Sequence, residues 1–263
     1  METPVMPEPT ILTAPVLAQF RQLALTTKDD ETALLEALSI QRRMAVKSEI
    51  YRASEYAASV CIIQQGYAYR FMDLLDGRRQ ITELLLPGDI CDLGGIATQS
   101  AGHGFFALTT LVYSEIKRQS LAALVNRHPC IGTALARAAV LKRTMLYERI
   151  ISLGQRSAKE RLCHLFCEVF VRSRAVGLTS GMQCRLPMNQ GDLADMLGLS
   201  LVHINRSVMA LRTEGLIRLN SHLLTIVDSK RLQKAANFNP KYLQIDCGTA
   251  KHACAPERRI LVA

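Results

Sequence analysis

The stretch "LADMLGLSLVHINRSVMALRTEGLI", residues 193–217, decides how the rest of the chain is read. Leu193, Met196 and Leu197 recur at helical spacing, with small Ala194 where a crossing helix can approach closely. Just upstream, Asn189 is suited to cap that helix, and Asp192 three residues later is the reciprocal partner of a capping box. Gly198 permits the left-handed conformation that ends a helix, and Leu199 anchors the turn. Ser200 then caps a second helix whose inner face is Ile204, Val208 and Leu211. Two short helices joined by a tight glycine turn make a helix-turn-helix. In that arrangement Leu201, Val202, His203, Asn205 and Arg206 fall on or near the outward side.

Those outward residues carry chemistry. Arg can donate twice to guanine and Asn can pair with adenine, so a polar set at this place suits the major groove. A generic helical hairpin with a solvated face would explain the polarity. It would not explain the combination of Ala194, Gly198, two caps and the segment that follows. That segment, "GLIRLNSHLLTIVD" (215–228), reads as two short strands around Asn220-Ser221-His222, a β-wing beside the second helix. Arg212, Arg218 and His222 are then placed to reach phosphates. Residues 156–231 hold eleven Lys/Arg against six Asp/Glu, and the whole chain of 263 residues carries a net charge of +9. Phosphate contacts would supply most of the affinity and make it salt-sensitive.

Working outward, the texture of the chain changes twice. Residues 1–30 are punctuated by Pro and Thr and are expected to be loosely ordered, with a short helix in "DDETALLEAL" (29–38). From about 44 to 117 short apolar or alternating runs are separated by Gly66, Asp76-Gly77 and Pro87-Gly88-Asp89. An Asp-Gly pair between apolar runs signals a hairpin whose two turn positions both take positive φ. Several such strands read as an antiparallel barrel or jelly roll. From about 119 the pattern is helical. Pro129 opens a long helix with a stripe at Ile131, Leu135, Ala138, Leu141 and Met145, and Gly154 closes it. That stripe exceeds what a small barrel covers, so it is expected to pair with a second copy of itself; capping the barrel is the alternative.

A further helix spans 157–177, with Leu162, Leu165, Phe166, Val169 and Phe170 inward. Cys163 and Cys167 lie one turn apart beside His164, but no second pair of ligands accompanies them, so they are expected to be buried structural thiols. The same holds for Cys247, His252 and Cys254, and no metal is assigned. Eight scattered cysteines without framework spacing suit a reducing cytosol. No apolar run approaches the roughly 18 residues of a membrane span, and the N-terminus lacks the basic and apolar regions of a secretory signal. A soluble, cytoplasmic protein with no membrane partner is expected. Neither a nucleophile–base pair, a phosphate-cradling glycine loop nor a His/Glu metal motif is present, so no enzyme is expected.

The order of parts resembles the CRP/FNR transcription regulators. The resemblance covers roughly residues 40 to 243 and is carried by "LPMNQGDLADMLGLSLVHINRSVMALRTEGLI" (186–217) and by "DGRRQITELLLPGDICDL" (76–93). It implies an α+β fold: an N-terminal antiparallel β-roll of the jelly-roll, cyclic-nucleotide-binding-like kind over 31–118, a helical linker and dimerisation helix over 119–154, a winged helix-turn-helix over 155–230 and a tail over 231–263. It implies a homodimer on a palindromic double-stranded DNA site, with RNA polymerase as a further partner. By match, Gln190 and Ser200 contact the DNA backbone, while Val202, His203 and Arg206 read bases. Leu201 and Val202 stand where the cyclic-AMP receptor protein has Arg and Glu, so base preference there should differ. In cyclic-nucleotide-binding members a Gly-Glu and an Arg-Ser/Thr-Ala stretch hold the ribose and phosphate. The corresponding "PGDICDLGGIATQSAGHGFFALTT" (87–110) offers no Arg, while Glu83, Asp89, Asp92 and Glu115 are acidic; control by cyclic AMP is therefore not expected. Iron–sulfur members hold their cluster through cysteines near the N-terminus, and the first cysteine here is Cys61. Haem through His103 or a thiol stays open, and the cofactor is unassigned. The alternative function is a small-ligand sensing module, for a cyclic nucleotide or haem, whose main role is not DNA binding.

Overall fold

The computed structural model describes residues 13–24, 26–51, 59–91 and 104–244. His103 and half of the 87–110 segment lie outside them, as do Cys247, His252 and Cys254. The described chain begins with helix α1 (Ala14–Leu23), opened by Pro15 in its first turn, with Val16, Phe20 and Leu23 buried. Residues 14–23 are thus helical where a loose segment is expected, residues 1–12 of that segment lying outside the described ones: the three apolar residues, four and three apart, form one face that seats on the long helix and the barrel. Helix α2 (Lys28–Ala37) starts at a capping box in which the Thr27 side chain accepts from Asp30 N–H and Asp30 reciprocates.

Eight strands follow: β1 (Gln41–Met44), β2 (Glu49–Tyr51), β3 (Ser59–Gln65), β4 (Ala68–Asp73), β5 (Arg79–Leu85), β6 (Ile90–Cys91), β7 (Gly104–Ala107) and β8 (Leu111–Lys117). They form two antiparallel four-stranded sheets, β1-β8-β3-β6 and β2-β7-β4-β5. Inward residues of both sheets, among them Cys61, Ile63, Leu85, Cys91, Phe105 and Tyr113, make an apolar interior. Gly66, at φ 91°, joins β3 to β4 where a Cβ would lie 2.3 Å from the Thr110 carbonyl oxygen. The β4–β5 hairpin departs from expectation. Gly77 alone takes positive φ (84°), and its N–H closes the turn on the Leu74 carbonyl. Three residues lie between the Leu74–Arg78 pair, so the turn needs one left-handed residue rather than two.

Helix α3 (Arg118–Arg127) leads into the 27-residue helix α4 (Pro129–Gln155). Gly154 does not close α4; it is an exposed residue of the last turn, and the helix ends where Arg156 becomes extended. A second correction concerns the proposed stripe. Ile131, Leu135, Ala138 and Met145 are buried and Leu141 is half-buried, all against the chain's own barrel and helices. The barrel with α1 and α5 covers more of α4 than the barrel alone would, so this face is not available to a second copy. Helix α5 (Ala158–Ala175) begins at a Ser157–Glu160 capping box and is buried on nearly every side.

The C-terminal unit adds β9 (Thr179–Ser180), β10 (Gln183–Arg185), α6 (Gln190–Leu197), α7 (Leu201–Thr213), β11 (Ile217–Asn220), β12 (Leu223–Ile226) and α8 (Ser229–Ala236). The four strands make one sheet in the order β11-β12-β10-β9. Residues 231–243, expected as tail, are part of this core: Leu232, Ala236, Phe238 and Leu243 are buried, and α8 lies along α5. Their apolar residues fill the side of α5 that the tail reading would leave bare.

The buried ring of His164 on α5 meets Phe238 edge-on at 5.1 Å and stacks on Tyr242 at 5.8 Å. Desolvation lowers its pKa to about 4, against the raising influence of Glu168 and Glu148 and with help from Arg156 and Arg149. An unfolded ring titrates near 6.5, so between about pH 4 and 6.5 the unfolded chain binds the extra proton. The stabilisation is full above pH 6.5 and lost as pH falls toward 4, at no more than about 1.4 kcal/mol per pH unit. Urea unfolding of His164→Phe is expected to show a shallower acid slope than the parent over this window; equal slopes would remove His164 as a cause.

Candidate nucleic-acid interface

Helix α6 begins as its sequence demands. The Asn189 side chain accepts from Asp192 N–H at 3.0 Å, and Asp192 accepts from Asn189 N–H at 2.8 Å. Leu193, Ala194, Met196 and Leu197 are buried, and Gly198 ends the helix at φ 61°, ψ 44°. A Cβ on Gly198 would lie 3.1 Å from a Leu153 methyl, in a conformation L-residues avoid. Ser200 caps α7 by accepting from His203 N–H, and Ile204, Val208 and Leu211 are buried beneath.

The opposite face of α7 is open. Leu201 is 53%, Val202 64% and Met209 66% exposed, and His203, Asn205, Arg206 and Arg212 are exposed as well. Gln190, at the start of α6, is also exposed. His203 Nδ1 lies 3.1 Å from Ser200 Oγ. When the hydroxyl donates to Nδ1, the ring carries its proton on Nε2 and presents a donor outward. Beside α7, β11 and β12 pair Asn220 with Leu223 across a two-residue turn in which Ser221 (φ 46°) and His222 (φ 66°) are both left-handed. That pattern is the tight hairpin turn whose twist matches its strands. Arg218 is exposed on β11. Arg212 is placed differently from expectation: its guanidinium donates to the Leu219 carbonyl and so ties the end of α7 to the wing.

Several supporting residues were not singled out from the sequence. Arg161 donates through Nε to the Arg156 carbonyl (2.9 Å), through Nη1 to Leu197 (2.9 Å) and through Nη2 to Leu153 (2.8 Å). One guanidinium thus satisfies end carbonyls of both α4 and α6, groups that have no partner inside their helices. Gln80 on β5 donates to the Asp195 carbonyl at 2.7 Å and so docks α6 on the barrel. Only Met209 had a signal, lying three residues beyond Arg206 on the same outward face. The β9–β10 hairpin is too short for a periodic pattern, and the contacts of Arg161 and Gln80 are tertiary.

Cys163 and Cys167 are buried, as expected of structural thiols. Desolvation pushes Cys163 up to about 11 and Cys167 up to about 12, and no His, Cys, Asp and Glu cluster suited to a metal occurs among the described residues. No described helix is long and apolar enough to cross a membrane.

Residues 160–235 match the Crp-like helix-turn-helix domain family. Transcriptional activator protein FnrL of Cereibacter sphaeroides is 28% identical over 220 residues, covering 82% of this chain and 88% of that protein. Nitrogen fixation regulation protein FixK of Azorhizobium caulinodans is 26% identical over 207 residues, 77% of this chain and 83% of that protein. Among solved structures, FixK2 from Bradyrhizobium japonicum superposes with a TM-score of 0.67 at 25% identity, over 74% of this chain and 96% of that one. A CooA mutant from Carboxydothermus hydrogenoformans, 16% identical with a TM-score of 0.61, shares the fold over 75% of this chain and 87% of its own.

Proposed function

We propose, from the premise that this chain is a DNA-binding transcription regulator of the CRP/FNR family, that it works as a homodimer reading a palindromic site through the outward face of α7. The carrying observation is the two-sidedness of that helix: Ile204, Val208 and Leu211 are buried, while Val202, His203, Asn205 and Arg206 are exposed. Arg206 and Asn205 supply the bidentate chemistry that distinguishes base pairs, and Leu201 and Val202 suit contact with a thymine methyl. Gln190, Ser200, Arg218 and the wing turn hold the backbone, and Arg212 supports the wing while its remaining donors face solvent. We assign it no reaction and place it in the cytosol, with RNA polymerase as the partner of the DNA-bound dimer.

The dimer seam lies on the side of α4 away from the barrel. Ala136, Val140, Arg143, Tyr147, Ile150 and Gly154 are exposed and follow one another in steps of four and three, flanked by exposed Leu146 and Ile151. That repeat is the seam of a two-helix coiled coil. Large apolar residues exposed in a continuous line mark an interaction surface.

Selection of bound sequences from a random DNA pool tests the proposal. An inverted repeat with half-sites about one helical turn apart is the expected product; recovery of no enriched sequence would contradict it. Cyclic AMP should neither tighten binding to the selected site nor raise the melting temperature. The described barrel interior is lined by apolar residues, and residues 87–110 contain no Lys or Arg to offset the desolvation of a phosphate. Saturable calorimetric binding of cyclic AMP with tighter operator affinity would overturn that expectation.

A further inference from the structure

The C-terminal sheet carries a cation that the reading by α7 leaves unused. Strand β10 pairs with β12 so that Gln183 faces Thr225, Cys184 faces Leu224 and Arg185 faces Leu223. On the other side of β12, Arg218 of β11 stands opposite Thr225 and Asn220 opposite Leu223. Side chains alternate between the two faces of a strand. Arg218, Thr225 and Gln183 therefore form one row across the sheet, and Asn220, Leu223 and Arg185 form the next row on the same face. The opposite face is the packed one, with Cys184, Leu224, Ile217 and Ile226 buried in the core.

Arg185 is held between two elements already assigned to the DNA backbone. Leu186, next in the chain, donates its N–H to the His222 carbonyl at 2.7 Å and ties this end of β10 to the wing turn. Four residues after Arg185, Asn189 caps α6, and exposed Gln190 begins that helix. The Arg185 side chain is itself exposed and makes no hydrogen bond or ion pair among the described residues. Its charge is felt by the phenol of Tyr67, a group that burial keeps protonated, and no described carboxylate neutralises it. Arg212, by contrast, commits a donor to the Leu219 carbonyl. A guanidinium on a paired strand, with its whole fork in solvent, suits a phosphate.

We propose that Arg185 is a further phosphate contact of this protein on DNA, gripping the backbone between the wing turn and the start of α6. The inference rests on the reading by α7 given above and adds to it a contact that positions the protein and carries no sequence information.

The test is Arg185→Gln, which nearly keeps the length of the side chain and removes its charge. The residue is exposed, so the melting temperature should stay within about 2 °C of the parent's. Affinity should fall about tenfold on the selected and the scrambled duplex alike, and the salt slope should drop by about one. Arg185→Lys keeps the charge and should keep the parent's slope. Duplexes that each carry one neutral methylphosphonate locate the contact. One position should weaken the parent and leave Arg185→Gln unaffected, and it should differ from the position that Arg218→Ala ceases to sense. An unchanged slope for Arg185→Gln, or a loss confined to the selected duplex, would overturn this contact while the parent still binds DNA. A parent that binds neither duplex would overturn the reading by α7 and this contact with it.

Discussion

The double variant Tyr147→Asp, Ile150→Asp is expected to sediment as a folded monomer and to lose specific DNA binding by at least about a hundredfold, since bivalent engagement is worth 10²–10⁴ in affinity. Tyr147 is 56% and Ile150 64% exposed on the single chain, so the change disturbs no internal packing. In a symmetric pair of α4 helices it would place four carboxylates in a largely apolar seam whose one cation per helix is Arg143, at several kcal/mol for each carboxylate left unpaired. The control is Leu135→Asp on the opposite face of the same helix. Leu135 is 8% exposed and belongs to the core shared by α4, α1, α3 and the barrel. Its substitution should therefore unfold the protomer instead of separating two folded ones. A Tyr147→Asp, Ile150→Asp protein that still sediments as a dimer would place the interface elsewhere.

Arg206→Ala should cost about 1–3 kcal/mol at the preferred site and relax preference at one base pair. Its guanidinium extends from the exposed side of a helix whose other side is locked by Ile204, Val208 and Leu211, so the direction of approach is set before DNA arrives. Arg218 sits on the wing strand, whose register is held by four pairs with β12. Arg218→Ala should weaken all sequences alike and reduce the salt slope by about one.

The helix-turn-helix was legible because each of its constraints is local. Asn189, Asp192, Gly198 and Ser200 act on backbone groups within three residues of themselves, and the structure places each cap and the left-handed turn where they were expected. Helix α4 shows where locality ends. The apolar residues at Ile131, Leu135, Ala138, Leu141 and Met145 were correctly read as one face. The same helix carries a second apolar line through Val140, Tyr147 and Ile150, and periodicity does not say which line meets the chain's own core. That depended on α1, hidden in a segment read as loose, and on α5 closing over the other side. Residues 231–243 were misplaced for a related reason: Leu232, Phe238 and Leu243 find their partners on α5, some seventy residues away. The contacts of Arg161 and Gln80 are products of tertiary packing.

The most direct measurement is a salt titration of binding by the parent, Arg206→Ala and Arg218→Ala proteins on the selected duplex and on a scrambled one. Reading by the outward face of α7 requires Arg206→Ala to lose affinity for the selected duplex while leaving the scrambled one nearly unchanged. Arg218→Ala should lose both in parallel, with a flatter slope. Equal loss on both duplexes for Arg206→Ala would make Arg206 a phosphate clamp and contradict the assignment of sequence reading to this face.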